Sequence, residues 1–240
     1  MTPAQPASGS ESGSAERRLV IALDGPGGSG KSSVGASAAT RLGYRFCDTG
    51  VLYRGLTWLA VDAALDVDDP AALLALVPRM ELAPDARERY VHLLADGRDV
   101  TVELHTAAVD RHVSQVSRHA EVRAALLPLQ RGLAGGGGII MAGRDIGTVV
   151  LPDADLKIYL DVSIEERTRR RAIERGVAGD HRAEEEIATE LRRRDGIDSS
   201  RKAAPLRVPE GALVIRTEGN TLEETVEAVV GLIRQAALRG

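Results

Sequence analysis

Residues 25–33 read GPGGSGKSS. From Gly25 to Ser32 the stretch fits G-x-x-x-x-G-K-[ST], a loop whose backbone N–H groups turn toward phosphate oxygens. Its context suits that mechanism. The loop follows an apolar run, LVIAL (19–23), and opens a helical pattern from Lys31 to Leu42 that stops at Gly43. A helix starting there offers its positive end to an anion. Gly25, Pro26, Gly27, Gly28, Ser29, Gly30 and Ser33 are read as the cradle of a nucleoside triphosphate. Lys31 is expected to reach the β- and γ-phosphates, and the Ser32 hydroxyl to ligate Mg2+. Lysine occurs three times in the chain, and arginine makes up the other 28 of its 31 basic side chains. A chain that uses arginine elsewhere uses the compact, flexible lysine where a tight loop requires it.

Outward from the loop, four more short apolar runs read as buried strands: YRFC (44–47), GIIMA (138–142), LKIYL (156–160) and ALVI (212–215). Helical patterns separate them. One starts near Ser163 and is densely charged; another opens on TLEE at Thr221, a capping-box sequence, and runs to Leu238. This alternation predicts an α/β fold, a doubly wound parallel sheet of five strands in the manner of P-loop NTP hydrolases. The stretch from about 62 to 115 breaks the rhythm. Asp96-Gly97 between apolar runs is a hairpin signal, so an inserted small β element with flanking helices is expected, either an acceptor-binding module or decoration. Residues 1–16, rich in Ser, Gly, Ala and Pro, read as a disordered tail, and 17–240 as the folded domain.

Composition narrows the class. Hydrophobic residues are 43% and aromatics 2% of the 240, which fits an aliphatic α/β core. A net charge of −4 argues against a global pull on nucleic-acid polymers. With a single cysteine, Cys47, the chain has no internal disulfide, and no apolar run approaches membrane-spanning length. The N-terminus lacks the apolar core of a signal peptide, so a cytoplasmic protein without a membrane partner is expected; a monomer is the separate expectation for its assembly.

The loop alone does not name an acceptor. No N-K-x-D base-reading segment is present, and GIIMA runs into Gly143 with no terminal acid. Kinases of small molecules remain, and they need a second anion site. DTGVLYR (48–54) and GRDIGTVV (143–150) both follow predicted strands, where α/β sheets bind ligands. In RDGIDSSR (194–201), Arg194, Asp198 and Arg201 share a face if the segment is helical. That face would grip ribose hydroxyls and phosphate, or carry no more than a solvated Arg–Asp pair. In EERTRRRAIERG (165–176), Glu166 and Arg170 form a helpful i, i+4 pair, whereas Arg167 and Arg171 repel unless an anion sits between them. A lid that closes over ATP, at about 167–186, is one reading; a charged surface helix is the other. The five histidines have no convincing catalytic setting, and the spacing of His112 and His119 allows one helix face, with surface or packing roles expected.

Together, GPGGSGKSS, DTGVLYR, SQVSRHAEVR, GRDIGTVV and RDGIDSSRKAAPL resemble bacterial cytidylate kinases, over about residues 18–236. The resemblance implies ATP-dependent phosphorylation of CMP and dCMP with Mg2+, in a core with a nucleotide-binding insert and a helical lid. It implies that Ser114, Arg123 and Asp145 read the cytosine edge. By the same resemblance Arg54 and Arg144 grip the acceptor phosphate with help from Arg201, and Arg194 and Asp198 meet the ribose. Thr49 stands where the family often has serine. Lys31, Arg144 and Arg201 are the expected catalytic groups, and Arg167 and Arg171 the lid's contribution to ATP. One departure is Ala142, where many members have an acid before GRD; metal and water geometry would then lean on Ser32 and Asp48. A kinase of UMP or a shikimate-like acceptor, or an ATP-binding regulatory module without turnover, are the competing readings.

Overall fold

In the order of the chain, the elements run β1 (Val20–Asp24), α1 (Lys31–Leu42), β2 (Arg45–Asp48), α2 (Gly50–Asp62), α3 (Pro70–Leu76), β3 (Met80–Pro84), β4 (Arg89–Ala95) and β5 (Arg98–Asp99). They continue with α4 (Ala107–Arg118), α5 (Ala120–Ala134), β6 (Ile139–Gly143), β7 (Leu156–Asp161), α6 (Ile164–Glu174), α7 (His181–Ser200), β8 (Leu213–Arg216) and α8 (Leu222–Ala237). This computed structural model describes residues 18–239; the expected tail at 1–16 lies outside the described residues.

The five apolar runs all form strands, and these pair in parallel in the order β2-β6-β1-β7-β8. Alternate residues supply opposite faces, as the strand repeat requires. Ile21, Leu23, Ile140 and Leu160 enter a core beneath α1 and α8, with Val226, Val229 and Ile233 opposite them. Ala22, Cys47, Ile139 and Met141 face the other way, against α2, α4 and α5. Burial of both faces is what continuous apolar runs in a parallel sheet predict.

The insert departs from expectation in its attachment. It does not stand as a separate β element: β4 pairs in parallel with β2, and β3 and β5 flank β4 antiparallel, giving one sheet of eight strands. The Asp96-Gly97 turn does connect β4 to β5, with φ of 50° and 79°. Helix α2 lies close on β4, because a Cβ at Gly55 would stand 1.9 Å from Leu93 Cδ2. A third, smaller cluster of Ala172, Ile187 and Leu191 joins α6 to α7.

Local signals set the helix ends. Thr221 and Glu224 complete a capping box at α8, and the Ser163 hydroxyl accepts from Glu166 N at α6. Helix α7 covers residues 194–200 of the RDGIDSSR segment, and Arg201 caps its end in an extended conformation. His112 lies on α4, but His119 occupies the link to α5, where its Nε2 meets Val67 O at 3.0 Å. The two histidines therefore do not share a helix.

Candidate active site

The loop Gly25–Gly30 joins β1 to α1 at the carboxyl end of the sheet. Gly28 and Gly30 sit at φ 77° and 87°, a region where an L side chain is strained and which turns the loop back over the helix start. Lys31 is buried and folds onto its own loop, donating to Pro26 O at 2.7 Å and to Ser29 Oγ at 3.2 Å. Burial, reinforced by Arg144, lowers its pKa well below the ordinary lysine value. Ser32 Oγ donates to Asp48 at the end of β2. Hydroxyl and carboxylate oxygens side by side are hard donors suited to Mg2+, which keeps several waters and phosphate ligands and needs few protein groups. Among the described residues no group of three or more His, Cys, Asp or Glu is arranged to hold a metal.

A cavity of about 350 Å³ opens from this loop. Its lining takes in Gly27, Gly28, Gly30, Lys31, Ser32 and Ser33 of the loop together with Thr49, Arg54, Ser114, Arg123 and Asp145. Arg144, Arg171, Arg194, Asp198 and Arg201 also reach it. Gly25, Pro26, Ser29 and Arg167 are not part of that lining. Arg144 links the loop to α7, donating to Asp198 at 2.8 Å and lying 3.5 Å from Gly25 O. Arg123 donates to Asp145 and to Ser117 O, and its guanidinium lies 5.1 Å from the Tyr53 ring centroid. Arg201 reaches toward Asp145 at 3.6 Å and Asp198 at 3.7 Å. Thr49 Oγ1 donates to Ala142 O at 2.9 Å.

The plain reading of RDGIDSSR as a solvated Arg–Asp pair does not hold. Asp198 is only 3% exposed and pairs with Arg144 and Arg201 rather than Arg194. Burial works to raise its pKa, but Arg144 and Arg201 outweigh it and keep the carboxyl below its ordinary value. Arg194 is largely covered, its side chain 11% exposed; desolvation, with Arg144 and Arg54 nearby, lowers its pKa to about 10. Its Nε has no hydrogen-bond partner, nor has Arg201 Nη2. Buried guanidinium nitrogens left in this state are what a phosphate would satisfy.

The repulsion expected between Arg167 and Arg171 is answered by protein acids. Arg167 pairs with Asp195 at 2.7 Å and donates to Gly27 O at 3.0 Å, packing on the loop backbone. Arg171 pairs with Asp110 at 3.0 Å and Glu174 at 3.1 Å. Arg170, read from sequence only as a partner of Glu166, holds Glu166 at 2.8 Å and also lines the cavity.

Two acids went unread. Asp24 accepts from Ile146 N and Gly147 N, both at 2.7 Å, and so ties the phosphate loop to the GRDIG segment. Its signal is local, since VIALD ends an apolar strand in an acid where GIIMA does not. Asp110 lies on the buried side of α4, in line with Ser114 and Ser117 at i+4 and i+7.

Residues 21–235 match the family described as cytidylate kinase. A cytidylate kinase of Herpetosiphon aurantiacus is 46% identical over 218 residues, spanning 89% of this chain and 93% of the relative. That of Geobacillus kaustophilus is 43% identical over 222 residues, spanning 92% and 98%. A structure from Eubacterium ventriosum, titled an uncharacterized protein, aligns with a TM-score of 0.50 at 11% identity over 91% of this chain and 99% of that one. It shares the fold alone.

Proposed function

This chain belongs to the cytidylate kinase family, and on that premise we propose that its cavity transfers the γ-phosphoryl group of ATP to CMP or dCMP, giving CDP or dCDP. The observation that carries this reading is that one cavity is lined both by the phosphate loop and by Arg54, Arg123 and Asp145.

In this reading ATP lies along Gly25–Ser33, with Arg171 and the neighbouring Arg170 covering its phosphates from α6. Lys31 leaves Pro26 O for the β- and γ-phosphates. Their charge restores the protonated amine that burial disfavours. Ser32, with Asp48 hydrogen-bonded to it, would hold Mg2+, which would supply neutralisation of the triphosphate charge.

CMP takes the other end. Asp145 accepts from the cytosine N4 amino group, while Arg123 and Ser114 donate to N3 and O2. Arg123 is fixed by Ser117 O and by Tyr53, so the donor pattern exists before the base arrives. Uracil presents an oxygen where Asp145 needs a donor, and leaving buried polar groups unpaired is costly. Arg194 and Asp198 face the ribose, with Thr49 beside the acceptor. Arg54, Arg144 and Arg201 hold the acceptor phosphate in line with the γ-phosphorus. That phosphate is already an anion near neutral pH, so positioning and charge stabilisation replace a general base. Closure of the α6–α7 hairpin over the site would exclude water, which otherwise takes the phosphoryl group. We read the enzyme as cytoplasmic and monomeric; among the described residues no helix is long and apolar enough to cross a membrane.

A coupled assay with CMP, dCMP, UMP and AMP tests the reading. Asp145→Ala is expected to lower kcat/KM for CMP on the order of 100-fold while the KM for ATP moves by less than about threefold. Equal loss toward both substrates would remove the base-reading role. Absence of CDP at millimolar CMP, with ATP still bound, would remove the reaction itself.

A further inference from the structure

Asp110 is 3% exposed, yet its carboxylate faces guanidinium groups from three other elements. The two oxygens divide them. Oδ1 accepts from Arg54 of α2 at 2.8 Å and stands 3.6 Å from Arg194 of α7. Oδ2 accepts from Arg171 of α6 at 3.0 Å and stands 3.5 Å from Arg175. Burial favours the neutral acid, but Arg54 leads the arginines that outweigh it, and the carboxyl is held ionised below its ordinary range.

Its placement decides what it does. Arg54, Arg171 and Arg194 line the nucleotide cavity, and Asp110 is absent from that lining. It opens instead on a neighbouring cleft of about 580 Å³ between α4 and α7. The carboxylate therefore braces the arginines from behind and does not compete with a phosphate for their free edges. Arg54 is fixed at both ends of its fork, Nη2 on Asp110 and Nη1 on Leu104 O at 2.8 Å.

We propose that Asp110 is a positioning residue that holds the acceptor-side arginines Arg54 and Arg194 and the α6 arginine Arg171 in one constellation, coupling the α6–α7 hairpin to the CMP end of the site. The carboxylate lowers the mutual repulsion of the arginines and orders them before substrate arrives. Without it, CMP binding has to gather the dispersed side chains itself. This inference rests on the assignment of Arg54 to the acceptor phosphate.

The test compares Asp110→Asn, Asp110→Ala and Arg54→Ala in the full-length enzyme. Loss of a charge-assisted hydrogen bond predicts a rise in KM for CMP on the order of tenfold in Asp110→Asn, with kcat at saturating CMP within about threefold. Asp110→Ala leaves a hole on the outer cleft. Tens of millimolar formate are expected to lower its KM for CMP and to leave the wild type unimproved. A residue that served only packing would lower the melting temperature and spare the KM of the folded fraction. A KM within twofold of wild type in folded Asp110→Asn overturns the proposal, as does failure of formate to improve Asp110→Ala. Should Asp110→Asn not fold, Asp110→Glu carries the same prediction in smaller measure, and an unchanged KM there overturns it. Arg54→Ala separates the two levels. If its KM for CMP is unchanged, the acceptor assignment fails; if it rises while Asp110→Asn stays at wild type, only the positioning role fails.

Discussion

Asp24 makes a pH-dependent contribution to stability whose sign runs against the usual carboxylate. Burial raises its pKa from 3.8 to about 6, partly offset by the N–H groups of Gly147 and Ile146. The folded state thus prefers the neutral acid more than the unfolded state does. Its contribution is complete below about pH 4 and is lost as pH rises through about 6. A shift of this size corresponds to roughly 3 kcal/mol at full ionisation. Urea unfolding of wild type and Asp24→Asn between pH 4 and 7 isolates it, because titration of the other groups cancels in the difference. The wild type is expected to lose ground to the variant as pH rises; a difference that stays flat would reject the buried titration. At this scale the sequence was more legible for cations than for acids. Lys31 and Arg144 announce themselves by motif, whereas Asp110 looks like any acid in a helix until four arginines from distant parts of the chain converge on it.

Elements were readable where their signals are local. Thr221 and Glu224 both complete their capping-box contacts, at 3.2 Å and 2.8 Å, and start the helix whose Val226, Val229 and Ile233 close one core. Thr221→Ala is therefore expected to cost about 1 kcal/mol, lowering the urea midpoint without changing the slope. A cost near zero would mean that packing of α8 on the sheet fixes its start without the cap. Strand positions were legible because both-face burial gives unbroken apolar runs. The edge to which the insert attaches was not. The pairing of Phe46 with Arg89 and Cys47 with Tyr90 joins residues far apart in sequence, and nothing in either strand names its partner. The burial of Asp198 escaped for the same reason: helical spacing aligned it with Arg194, but its partner Arg144 comes from the segment after β6.

Across the whole molecule, one charge arrangement connects fold to chemistry. Arg54, Arg144, Arg170, Arg171, Arg194 and Arg201 line a single cavity in a chain whose net charge is −4. The local field is thus built against the global one, and bound phosphates relieve the repulsion among these side chains. Ligand binding must then appear as stability. At 100 times its dissociation constant a nucleotide adds about 2.7 kcal/mol, a shift in Tm of roughly 5–10 °C for a chain of this size. On the proposed assignment, CMP is expected to produce such a shift and UMP at the same concentration a clearly smaller one, because its phosphate would meet the same arginines while its base would leave Asp145 without the amino donor. Differential scanning fluorimetry with matched nucleotide concentrations measures both. Equal shifts would mean that the arginines dominate ground-state binding and that Asp145 discriminates, if at all, only in the transition state.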